Sequence, residues 1–104
     1  MLFLTYWELN EDIPAQERIA AAKKLTSSGY FPAKEIKLLR WDLTPDNWGI
    51  VLIEADNALA VTHALNSWRM ALPGTFKLTK TAPAVPMIEG MPAFQKTLEE
   101  VAAL

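Results

Sequence analysis

Three stretches of this chain, Leu2 to Trp7, Glu35 to Leu43 and Gly49 to Ala55, carry large apolar side chains at both odd and even positions. Successive side chains of a strand point to opposite faces, so such strands need cover on both sides. Leu2, Leu4 and Tyr6 stand against Phe3 and Trp7, Leu38 against Leu39 and Trp41, and Ile50 and Leu52 against Val51 and Ile53. A sheet built from them presents more apolar surface than helices on one face can shield. The remainder exceeds the patch that soluble monomers usually expose.

The intervening segments supply those helices. Pro14 suits a first helical position, and Ala15, Ile19, Ala22 and Leu25 follow on one stripe at helical spacing. Gly29 sits where a left-handed cap is wanted. In the strand over Glu35 to Leu43, strict alternation puts Ile36, Leu38 and Arg40 on one face and Lys37, Leu39 and Trp41 on the other. Thr44-Pro45-Asp46-Asn47 is a turn by composition, which makes a hairpin with the strand that follows. Asp56 or Asn57 caps a second helix whose Val61, Leu65, Trp68 and Leu72 form its buried stripe, and Pro73-Gly74 stops it. Thr75 to Thr81 alternates as an outer strand, with Phe76 and Leu78 sharing a face. Thr81 to Pro92 reads as an extended Pro-rich arm without regular structure, and Met91, Phe94, Leu98 and Val101 as the stripe of a last helix that needs a groove, on its own subunit or another.

The order strand, helix, strand, strand, helix, strand predicts an α+β protein with the ferredoxin-like βαββαβ antiparallel sheet and both helices on one face. Residues 1–82 form that domain, and 83–104 add the arm and C-terminal helix, in the same domain or as a dimer contact. A second copy packed sheet to sheet would cover the other face, giving a homodimer. Covering about 600 Å² per subunit supplies roughly 15 kcal/mol gross, against an association cost of roughly 4 to 15 kcal/mol.

Composition removes several function classes. The 104 residues contain no cysteine and one histidine, so neither thiolate chemistry nor a multi-histidine metal site is expected, and no cofactor is predicted. A net charge of -2 speaks against nucleic acid as partner. RNA-recognition modules share the βαββαβ order but stack bases on sheet aromatics, where this third strand offers Ile50 and Leu52. No segment approaches the roughly 20 apolar residues of a membrane span, and Met1 to Trp7 lacks the features of a secretory signal. A cytoplasmic location is expected.

Trp41, Trp48-Gly49 opening the third strand, Glu54-Ala55-Asp56-Asn57 closing it, Trp68 late in the second helix, and a last strand running into Pro83 resemble the family grouped as domain of unknown function 3303. The resemblance covers residues 1 to 86 and leaves the arm and last helix as an addition. It implies the dimeric α+β barrel fold, in which small molecules often sit between sheet and helices, and no particular activity.

Arg40 and Glu54 are charges within apolar strands, where an ion is costly unless paired or wet. On a shared outer face with Tyr6 and Lys80 they would line a polar cleft, so Tyr6, Arg40, Trp41 and Glu54 form the candidate ligand-binding set. Trp7, Trp41 and Trp48 sit near strand ends, as pocket rim or dimer contact, and Trp68 is expected in the core. His63 falls opposite the second helix's stripe with no carboxylate at an orienting spacing, which predicts a solvent-exposed imidazole. A protein binding a small hydrophobic ligand, or acting as an accessory protein, is the leading expectation. A cofactor-independent oxygenase or isomerase and a purely structural interaction module are the alternatives.

Overall fold

Seven elements follow one another in the computed structural model, which describes residues 1–104: β1 (Leu2–Leu9), α1 (Ala15–Ser27), β2 (Ile36–Leu43), β3 (Trp48–Ala55), α2 (Ala58–Ala71), β4 (Phe76–Ala84) and α3 (Met87–Ala102). The strands lie in the order β2-β3-β1-β4, and every neighbouring pair is antiparallel. This is the expected ferredoxin-like α+β sheet. Its inner face, with Phe3, Trp7, Val51, Ile53 and Ala55, forms one core with Leu25, Phe31, Val61 and Ala64.

Local chemistry sets the ends of the elements. Gly29 and Gly74 both take positive φ, 76° and 81°, the conformation only glycine enters without a Cβ penalty. The cap of α2 is Asn57, whose side chain accepts a hydrogen bond from the Ala60 amide at 3.0 Å.

Strict alternation fails at two points, each for the same reason. The β2–β3 register shifts between Leu38 and Arg40: Leu38 pairs with Ile53, but Arg40 pairs with Leu52 and Trp41 with Val51. This bulge gives one strand an extra residue and reverses the parity beyond it. Trp41 therefore joins Ile36 and Leu38 on the inner face, while Arg40 moves to the outer one. A second shift on β1–β4 pairs Leu9 with Phe76 and Glu8 with Leu78, so Phe76 and Leu78 lie on opposite faces rather than sharing one.

The expected unstructured arm is mostly regular. β4 runs on to Ala84, across the boundary expected at residue 82, with Pro83 opposite Phe3; β4 is an edge strand, where a residue lacking an N–H is tolerated. α3 begins at Met87, with Gly90 and Pro92 inside it.

Two apolar surfaces lack cover within the chain. On the outer sheet face Leu4, Leu78 and Leu39 are 42%, 39% and 43% exposed. α3 has no buried residue, although Met87, Met91, Phe94, Leu98 and Val101 recur along it at four, three, four and three. The radius of gyration, 17.1 Å, exceeds the roughly 13 Å of a compact domain this long, and only 15 of 104 residues are buried. No helix is long and apolar enough to cross a membrane.

Candidate functional site

α1 packs chiefly on α2 rather than on the sheet, burying Ala21 and Leu25. Its other apolar positions, Ala15, Ile19 and Ala22, look across a gap towards the inner sheet face. The gap is a cavity of about 570 Å³, and 14 of its 18 lining residues are hydrophobic. That volume and lining suit a small-molecule site, which typically spans about 300 to 1,000 Å³.

Aromatic rings build one wall. Phe31, Trp41 and Trp68 meet edge to face in all three pairs, with centroids 5.3, 5.3 and 5.4 Å apart. Such contacts hold rings in fixed orientations. Trp41 completes this cluster because the bulge turns it inward. Trp7 and Phe76 form another ring pair at 6.5 Å; Phe76 faces inward because of the second register shift. Trp68, expected in the core, is half-buried and lines the cavity.

Only Arg18, Asp42, Asn47 and Thr75 break the apolar lining. Asp42 pairs with Ile50 on the outer-face parity, and its carboxylate accepts a hydrogen bond from Arg40 at 2.5 Å. Asn47 sits in the hairpin turn at φ 58°, with its carbonyl accepting from the Leu9 amide at 2.9 Å. Arg18 is the one cation of the lining. Its Nε is buried without any hydrogen-bond partner, and no ion pair of the protein includes it.

The four residues singled out from the sequence are divided by the sheet. Trp41 lines the cavity. Tyr6, Arg40 and Glu54 share the outer face, with Lys80 opposite Tyr6. There the Tyr6 hydroxyl donates to Glu8 at 2.7 Å, which together with partial desolvation raises its pKa. The Asp42 hydrogen bond likewise raises that of Arg40. Tyr6 also packs against Trp48, with ring centroids 5.5 Å apart. Arg18 is not part of the apolar stripe of α1 that the sequence displays. Residues 15, 18, 19 and 22 are one helical face, at the spacing i, i+3, i+4, i+7, and that spacing was the available signal.

His63 is solvent-exposed, as expected, but its ring has partners on both sides. Its Nδ1 meets the Glu35 carboxylate at 2.5 Å and its Nε2 the Tyr30 hydroxyl at 3.0 Å. Glu35 lies far away in sequence, just before β2, so no helical spacing could reveal it. The Glu35 pKa is lowered, first by a hydrogen bond from its own backbone amide and then by His63. This exposed Tyr30–His63–Glu35 chain is not among the residues that line the cavity. No group of three or more histidine or acidic side chains is placed to hold a metal ion.

By sequence the chain matches no protein-family model and no curated protein. Solved structures share its fold. One is a candidate antibiotic biosynthesis monooxygenase from Bacteroides thetaiotaomicron, at TM-score 0.59 and 13% identity, covering 84% of this chain and 89% of that one. Another is the protein Atu4242 from Agrobacterium tumefaciens, at TM-score 0.50 and 12% identity, covering 83% of this chain and 93% of that one.

Proposed function

We propose that the protein is a small-molecule binding protein whose ligand, largely hydrophobic and aromatic in character, occupies the cavity between α1 and the inner sheet face. The observation that carries this is the 570 Å³ space walled by mutually oriented rings. A structural module that only filled its core would place side chains there. An oxygenase or isomerase would need a proton-transfer group within reach of the ligand. The Tyr30–His63–Glu35 chain lies outside the lining, which favours binding over catalysis; the fold shared with a candidate monooxygenase keeps oxygen chemistry as the second reading.

The working unit is a homodimer. The outer sheet face supports this, with Leu4, Leu39 and Leu78 exposed on it and no element of the same chain across it. α3, with its stripe bare, is a further contact between copies. The dimeric barrel and the likeness to domain of unknown function 3303 belong to the same proposal.

The test is fluorescence of the neutral probe N-phenyl-1-naphthylamine. Saturable binding near one probe per chain is expected, and Ala22→Trp, which puts an indole into the cavity, should abolish it. Binding that survives Ala22→Trp in a folded protein would remove the cavity from consideration.

A further inference from the structure

The cavity lining includes a cation, Arg18, that no carboxylate of the chain pairs with. Arg18 projects from the α1 face that carries Ala15, Ile19 and Ala22, and the only carboxylate among the lining residues, that of Asp42, is held by Arg40. Buried polar groups of native proteins are almost always hydrogen-bonded. Arg18 Nε has no partner. A guanidinium is planar and always charged, and it binds carboxylates through paired hydrogen bonds. Lining the same cavity as three edge-to-face rings, it is the polar contact that would orient an otherwise apolar molecule.

We propose that the cavity is a receptor for an aromatic acid: a flat ring system packed against Phe31, Trp41 and Trp68, bearing a carboxylate that pairs with the Arg18 guanidinium. This rests on the cavity-binding reading and adds the ligand's charge to it. The carboxylate takes the unused donors of Arg18, and the rings replace cavity space with packed surface. A neutral molecule of the same shape gains only the second of these.

Competition against bound N-phenyl-1-naphthylamine separates the two. 1-Naphthoate and 1-naphthamide share a ring system and differ in charge. On the unaltered protein the acid should displace the probe at a concentration at least about tenfold lower than the amide, equivalent to about 1.4 kcal/mol. Arg18→Met, close in length and a good helix former, should bring the two curves together. Arg18→Lys, which keeps the charge but loses the paired geometry, should retain part of the difference. Equal displacement by acid and amide on the unaltered protein overturns the proposal without recourse to any variant, as does a preference that persists in Arg18→Met. If the probe itself fails to bind, the cavity reading falls first and this inference with it.

Discussion

Gly49→Ala should destabilise the protein strongly, although glycine inside a strand ordinarily costs about 0.5 to 1 kcal/mol relative to alanine. A methyl group at 49 would overlap the backbone carbonyl oxygen of Asp42 on the adjacent strand β2, and stand 2.5 Å from Cζ2 of Trp7. Real Cβ contacts essentially never fall under 3.0 Å. The Trp7 ring could turn aside, but the carbonyl belongs to a paired strand and moves only with the hairpin. Overpacking costs typically 1 to 3 kcal/mol and occasionally more. With the rigid obstacle at the upper end of that range, and the propensity gain subtracted, the net loss is about 2 to 2.5 kcal/mol. At about 4 to 8 °C per kcal/mol for a domain near this size, Tm should fall by roughly 8 to 20 °C.

The assay is thermal unfolding followed by circular dichroism, with protein concentration held fixed because association contributes to apparent stability. Trp7→Leu gives the control: it removes the ring edge and leaves the carbonyl. Gly49→Ala should therefore still destabilise that background, by a smaller amount. Because Trp7 is a cavity wall, probe affinity should fall in Gly49→Ala as well. A Gly49→Ala protein as stable as the parent would refute the close approach of the strands at this point. A cost that vanished entirely in the Trp7→Leu background would show that the backbone obstacle is not there.

Asn57→Ala should lower stability by about 1 kcal/mol through loss of the α2 cap, whereas Asp56→Ala should not, and urea unfolding of the two side by side distinguishes them. Leu4→Glu puts a charge on the outer sheet face and should shift sedimentation towards monomer while the probe still binds; a parent protein already monomeric at micromolar concentration would defeat the dimer proposal directly. Glu35 should titrate below its ordinary 4.5, and His63→Ala should move it part of the way back, since the backbone amide remains. A carboxyl with a depressed folded pKa stabilises above its unfolded value, and that contribution is lost as pH falls through the folded one. The loss should therefore be smaller in His63→Ala and be complete at a higher pH, and NMR titration of the Glu35 side chain reads the folded value; a parent Glu35 at or above 4.5 would contradict the geometry.

The element order, the antiparallel sheet, the stop at Gly29 and the excess of apolar strand surface were legible in the sequence, because each depends on local periodicity or on a residue's own backbone limits. The candidate site was legible only in part. Trp41 could be named but not aimed: a one-residue bulge in the pairing of β2 with β3, which strict alternation does not reveal, decided that it faces the cavity and Arg40 does not. Tyr6, Arg40 and Glu54 do share a face, as the hairpin register required, but it is the face away from the cavity. Arg18 lay hidden among the polar residues of an ordinary first helical turn, since nothing local says that a helix will stand off from its sheet. His63 acquired its carboxylate from a segment 28 residues away. Sequence by itself determined which segments become strands and helices and which of their surfaces must be buried; register, standoff and long-range contact come from packing the whole chain at once, and those alone decided where the cavity opens and which charge sits in it.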